Sequence, residues 1–289
     1  MTQKQGLLLA AAAYAGWGLL SPGNKILLDY LDPFWLQSLR AAGSFAIVAL
    51  IAGPQVKALP RLLANRHLVL LSLAGNVVSF GLFISSLQFL DATYTTLGFL
   101  TAPLWTALLA RVKLGEEMGP WFLPAVAGLL LGAWLAIDGG GQFTVIGMLL
   151  AVGAGAAWAV YSVQLRIHAP GIGLTQLMLV SMAVSFLGFS LLAMLFEAPP
   201  NLSSLNVEAW VWTFIQIAIP TILSLYLFNA ALQRAPAGKV NMLVGMELAA
   251  TVFFAWILLG DTFSALQLAG LVLVLASITG YLASSAKSV

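Results

Sequence analysis

Glu247 is the one acid near the middle of the apolar run 236–259. An unpaired carboxylate is costly in hydrocarbon, so it must face a cavity, find a donor or hold a proton. Facing a cavity, it can contact the amino group of a solute or relay a proton. Bonded to a neighbouring helix, it is only structural. Two cations also fall within apolar runs, Lys25 near the end of one and Arg40 about two turns into the next. The plainer reading is that each snorkels to the interface or pairs with Asp29 or Asp32. The alternative is a cation that steers a carboxylate.

Aromatic and small polar side chains recur with regular spacing. Tyr14 precedes Trp17 by three residues and Tyr161 follows Trp158 by three, which places each pair on nearly one helix face. Such rings could form a stacking box or simply pack helices. Asn76, Ser79 and Phe83 share a face at helical spacing, as do Thr221, Ser224 and Phe228. Small polar groups there either line a cavity or bond helices together. Pro22, Pro103 and Pro220 interrupt apolar runs, freeing carbonyls and permitting bends. Gly115-Glu116 and Gly260-Asp261 read as punctuation, with Gly ending one helix and the acid beginning the next. His67 and His168, the two histidines, fall at run ends and suit catalysis poorly. The sequence contains no metal-ligand cluster, phosphate loop, nucleophile–base pair or paired intramembrane acid. Neither metal nor cofactor is expected, and an intramembrane enzyme is the weaker alternative.

The elements that position these residues are membrane helices. Of 289 residues 61% are hydrophobic and 8% charged, against about 25% charged in soluble domains. A soluble fold of this length has too little interior to hide that surface, so the bilayer is the solvent. Net charge is only +2, which makes nucleic acid an unsuitable partner, and the absence of Cys excludes disulfides and thiolate metal sites. Lys4 precedes an apolar stretch too long for the core of a signal peptide, so the N-terminus is read as a span. Ten stretches approach the ~20 apolar residues a spanning helix needs: 7–28, 33–52, 67–90, 92–113, 120–138, 144–166, 173–196, 209–233, 236–259 and 264–285. With ten spans, the N-terminal face collects Lys4, Lys57, Arg61, Arg66, Arg111, Lys113, Arg166, Arg234, Lys239 and Lys287. The opposite face collects Asp29, Asp32, Asp91, Asp138, Glu197, Glu208 and Asp261. Cationic loops stay inside, so both termini are expected in the cytoplasm. Trp17, Trp105 and Trp158 fall too deep to be interfacial anchors and need packing or a site to explain them.

The chain also repeats itself. Residues 82–117 align with 227–262 at an offset of 145, matching Leu87-Gln88 to Leu232-Gln233 and Leu114-Gly115-Glu116 to Leu259-Gly260-Asp261. Ser79 meets Ser224, and Trp17 meets Trp158 at an offset of 141. Five spans form one repeat, here 1–141 and 142–289, and an odd number inverts the second half in the membrane. Inverted repeats suit secondary transport, because pseudo-symmetric halves can open one site to either face in turn.

Two such halves resemble the EamA-type drug/metabolite transporter superfamily over essentially the whole chain. The resemblance is carried by TAPLWTALLARVKLGEE (101–117) followed by GLLLGAWLA (128–136), and by MELAATVFFAWILLGDT (246–262) followed by GLVLVLASITG (270–280). In overall similarity the chain looks like bacterial YddG-type exporters of aromatic amino acids and related metabolites. The resemblance implies an all-α integral membrane fold of ten helices around a central cavity, lined mainly by the first, third, fourth, sixth, eighth and ninth, with the fifth and tenth outside. One departure is visible: Pro103 faces Leu248 in the repeat, and Glu247 faces Ala102. The expected function is export of small amphipathic metabolites, foremost amino acids, by alternating access in the bacterial inner membrane. The expected site comprises Tyr14, Trp17, Asn76, Ser79, Phe83, Pro103, Trp158, Tyr161, Thr221, Ser224, Phe228 and Glu247. The carboxylate of an amino acid would find its donor in Asn76, Ser79 or a helix-end amide. Export of quaternary cations is the alternative. The expected partners are a small-molecule substrate and the lipid bilayer; oligomeric state is open, and a monomer suffices.

Overall fold

The computed structural model describes residues 2–90, 92–136, 143–168, 171–260 and 262–286, and its described regular elements are all helical. Among the described residues nine helices are long and apolar enough to span a membrane: α1 (Gln3–Leu27), α2 (Pro33–Leu63), α3 (Arg66–Ser86), α4 (Tyr94–Leu114), α6 (Val145–His168), α7 (Leu174–Phe196), α8 (Val207–Leu232), α9 (Ala237–Leu258) and α10 (Ala265–Ser284). A tenth, α5 (Phe122–Leu135), is apolar but has 14 residues, about 21 Å at 1.5 Å per residue. The expected fold of ten helices in two inverted sets of five therefore holds, with one short member. The proposed junction at 141/142 lies outside the described residues, as do Asp91, Asp138, Asp261 and Lys287 from the charge sorting.

Helix ends follow local chemistry. Asp32 precedes Pro33 at the start of α2, where proline's missing N–H costs nothing. Asn206 caps α8 by accepting from Ala209 N at 2.8 Å. Gly115 and Gly260 adopt φ of 66° and 71°, the left-handed helix-ending conformation that glycine takes without a Cβ penalty. Glu116 does not begin the next helix as expected. Its carboxylate reaches across to α9, where Oε1 accepts from Ala237 N at 3.1 Å and Oε2 from Gly238 N at 3.3 Å.

Five of the spanning helices are irregular within their apolar runs. Helix α1 breaks after Trp17 and resumes at Leu20, because Pro22 cannot donate to the carbonyl four residues back. Helix α4 breaks at Leu100–Thr101, and Pro103 sits in the first turn of the resumed segment. Helices α3 and α8 widen to π turns over Leu73–Ser79 and Ile217–Ser224. Gly75 and Pro220, which lie at equivalent repeat positions, explain both: each weakens the regular ladder. At Gly75 the space is already taken, since a Cβ would lie 2.4 Å from the Tyr161 ring. Helix α9 is also discontinuous, at Leu243–Val244, with no proline to announce it.

Helices α5 and α10 pack against each other, joined by Phe122 against Tyr281 at 5.6 Å and by a close backbone approach of Gly132 and Gly270. The other eight helices surround the centre.

Candidate functional site

An aromatic cluster fills the junction of the two halves. Trp17 of α1 meets Trp158 of α6 edge-on at 5.3 Å, and Tyr14 meets Trp17 at 5.2 Å. Phe228 of α8 lies 4.8 Å from Trp158, and Tyr161 lies 5.1 Å from it. Buried hydroxyls need partners, and the two tyrosines find asparagines. Tyr14 OH donates to Asn241 Oδ1 at 3.0 Å, and Tyr161 OH donates to Asn229 Oδ1 at 2.7 Å. Trp158 Nε1 donates to Tyr14 OH at 3.4 Å. The rings are thus locked to α8 and α9 by directional bonds as well as packing.

Two small cavities adjoin this cluster. The first, of about 30 Å³, is lined by residues including Tyr14, Trp17, Ser79, Phe83, Trp158 and Glu247. The second, of about 40 Å³, is lined by residues including Arg40, Asn76, Ser185 and Thr221. Trp17, Gln37 and Phe80 border both. Each holds a water or two, far less than the several hundred Å³ of a ligand-filled pocket. In this conformation neither has room for a solute.

Most expected site residues converge here, and some do not. Tyr14, Trp17, Ser79, Phe83, Trp158 and Glu247 border the first cavity, and Asn76 and Thr221 border the second. Tyr161, Phe228, Ser224 and Pro103 border neither. Tyr161 and Phe228 back the Trp158 ring, Ser224 packs against Gly16 of α1, and Pro103 is buried at the restart of α4. Trp105 turns outward and bonds Thr101 Oγ1 at 3.2 Å. His67 and His168 stack at 4.5 Å where α3 begins and α6 ends.

Among the lining residues outside the expected site are Gln37, which the sequence reading missed, and Arg40, which it weighed as a snorkelling, paired or carboxylate-steering cation. Arg40 neither snorkels nor pairs with Asp29 or Asp32: it is 4% exposed, and its Nη2 donates to Thr221 Oγ1 at 3.1 Å. Gln37, one turn earlier on the same face, borders both cavities. The signal was there, since two strongly polar side chains three apart in an apolar span must share a polar neighbour. Helices α2 and α7 consequently line the second cavity, beyond the six helices the resemblance implied, whereas α5 and α10 line neither. Glu247 lies in the first turn of the resumed segment of α9, where the helix dipole favours negative charge, although its own N–H and that of Met246 already donate to the Val244 and Leu243 carbonyls.

At both ends of the bundle a carboxylate reaches across from one half to the other. On the N-terminal face, Glu116 caps α9 and also pairs with Arg166 Nε at 3.3 Å. Arg166 Nη1 further donates to the carbonyls of Leu232 and Ala235. On the opposite face, Glu197 at the end of α7 accepts from Phe34 N at 2.7 Å and Trp35 N at 2.9 Å, capping α2.

Inverted five-helix halves, broken helices and an enclosed aromatic centre with one carboxylate define a multi-pass membrane transporter. The model of the EamA-like transporter family matches residues 4–137 and again 145–283, so the chain belongs to that family, with one copy in each half. It is 25% identical over 299 aligned residues, covering 96% of this chain and 94% of the other, to a protein of Salmonella typhimurium described as a probable amino-acid metabolite efflux pump. A Bacillus subtilis protein described as the uncharacterized transporter YvbV is 30% identical over 165 residues, 55% of this chain and 53% of that one. A crystal structure covering 95% of both chains superposes with a TM-score of 0.78 at 19% identity, which establishes the shared fold.

Proposed function

We propose that this chain exports small amphipathic metabolites, foremost amino acids including aromatic ones, by alternating access. The observation that carries the reading is that Glu247, Trp17, Trp158 and Phe83 border one cavity between the halves. The carboxylate, set at a helix N-terminus, takes the substrate's ammonium group or a proton, and the rings take its side chain. Tyr161 and Phe228 hold Trp158 in place from behind. The Salmonella relative described as an amino-acid metabolite efflux pump supports the same class. Access alternates as the halves rock about the broken or widened segments of α1, α3, α4, α8 and α9, opening one carboxylate latch while the other stays made. Residues of one chain complete the cavity, so a monomer suffices. The membrane is the bacterial inner membrane with both termini cytoplasmic, a reading supported by ten of the twelve cations falling on the N-terminal face.

The same carboxylate and rings also suit a quaternary ammonium ion through cation–π contact, which is the second reading. Uptake of phenylalanine, threonine and methyl viologen into liposomes holding the purified protein separates the two. We expect flux of both amino acids, because aromatic walls separate apolar side chains by only ~1–3 kcal/mol. Flux of methyl viologen with neither amino acid would overturn the amino acid reading.

A further inference from the structure

The two cavities differ in hydrogen-bonding character. The first presents acceptors, namely the Glu247 carboxylate and Asn24 Oδ1, which has no partner. The second presents donors: Arg40 Nε, Arg40 Nη1 and Asn76 Nδ2 are buried nitrogens without a hydrogen-bond partner, and both residues border that cavity. Arginine stays protonated under all ordinary conditions. Among the described residues the ion pair is Arg166 with Glu116, so Arg40 has no carboxylate of its own. Its one bond, to Thr221 Oγ1, engages a hydroxyl that already donates to the Gln216 carbonyl at 2.8 Å across the π turn of α8. A buried guanidinium with two idle nitrogens carries a desolvation penalty that a neutral hydroxyl does not offset, and an anion does.

We propose that this second cavity is an anion subsite in which Arg40 and Asn76 take the carboxylate of the transported solute. This deepens the amino acid reading and rests on it. Loading requires Trp17, Gln37 and Phe80, which border both cavities, to part, so that the carboxylate meets Arg40 while the ammonium on the adjacent carbon faces the Glu247 side. The substrate class narrows to solutes with both groups. Arg40 and Asn76 replace Ser79 and the helix-end amides as the carboxylate donors.

The test compares phenylalanine, phenylalaninamide, which lacks the carboxylate, and 3-phenylpropionate, which lacks the ammonium, as competitors and substrates in proteoliposomes. The wild-type protein is expected to prefer phenylalanine to its amide by roughly tenfold or more, the scale of a charge-assisted hydrogen bond. Arg40→Gln is expected to bring that ratio to within about twofold while uptake of the amide persists. A ratio unchanged in Arg40→Gln, or equal loss of both solutes from folded protein, overturns the subsite. If the wild type handles neither phenylalanine nor its amide, the amino acid reading fails alone: 3-phenylpropionate binding that Arg40→Gln abolishes still upholds the subsite, and absent or unaffected binding overturns it. Should Arg40→Gln not fold, Arg40→Lys decides. Its ammonium lacks the planar fork, so the ratio should fall between the wild-type value and one, and an unchanged ratio overturns the proposal.

Discussion

Glu116→Gln tests the latch on the N-terminal face. The carboxylate accepts two backbone N–H groups of α9 and one Arg166 nitrogen. Glutamine keeps one acceptor oxygen, loses the charge, and turns an amide donor toward an N–H or a guanidinium. Hydrogen bonds to charged groups contribute about 1.5–3 kcal/mol against about 0.5–1.5 kcal/mol for neutral ones. The helix-terminus effect adds about 0.3–1 kcal/mol. Glu116 and Arg166 side chains are 18% and 28% exposed, and a partly solvated pair adds at most about 1 kcal/mol. These contributions share atoms and do not sum, so the closed face should weaken by roughly 2 kcal/mol, about 30-fold in the open-to-closed ratio. The chain has no cysteine, so a single Ala235→Cys, at a residue 1% exposed beside the latch, reports opening through its rate of maleimide labelling. Adding Glu116→Gln should speed labelling about 30-fold when exchange is fast relative to labelling. A change within twofold, in protein that remains folded, would refute the latch.

Two further expectations concern the tyrosine lock and the opposite latch. Tyr161→Phe keeps the ring but leaves Asn229 Oδ1 without its donor, so thermal stability should fall by the equivalent of about 1–3 kcal/mol; an unchanged unfolding temperature would show that the bond contributes nothing. The Glu197 carboxyl is raised above the usual carboxylate range, chiefly by removal from water and further by Asp32, against the opposing N–H groups of Phe34 and Trp35. The closed state therefore holds a proton at a pH where a solvated, opened Glu197 has lost it. By linkage, closure of that face strengthens as pH falls through the raised value toward about 4.3, and this gain is lost as pH rises again. Labelling of Leu31→Cys, in the apolar cluster beneath that face, should slow on acidification relative to the same reporter in Glu197→Gln. Parallel pH profiles, or faster labelling at low pH, would reverse the assignment.

Much of this architecture was legible in the residues alone. Period-free apolar runs near 20 residues determine membrane helices, because no backbone group can remain unpaired in hydrocarbon. Ordered matches such as Trp17 with Trp158 and Leu-Gly-acid with Leu-Gly-acid exposed the duplication. Pro22, Pro103 and Pro220 marked three irregular helices, since proline disrupts the ladder wherever it stands. Tertiary structure decided the rest. The break in α9 beside Glu247 carries no proline, so only packing reveals it, and it turns a mid-span acid into one at a helix N-terminus. The sequence placed ten aromatic and polar side chains on plausible faces, but a face does not say what stands opposite. Phe228 meets another ring, whereas Phe83 meets a cavity. Glu116 looked like local punctuation and proved to be a cap on a helix 121 residues away. Arg40 reads as an interfacial cation until α7 and α8 close over it. Local rules specify which groups must find partners, and only the packed helices specify which partners are in reach.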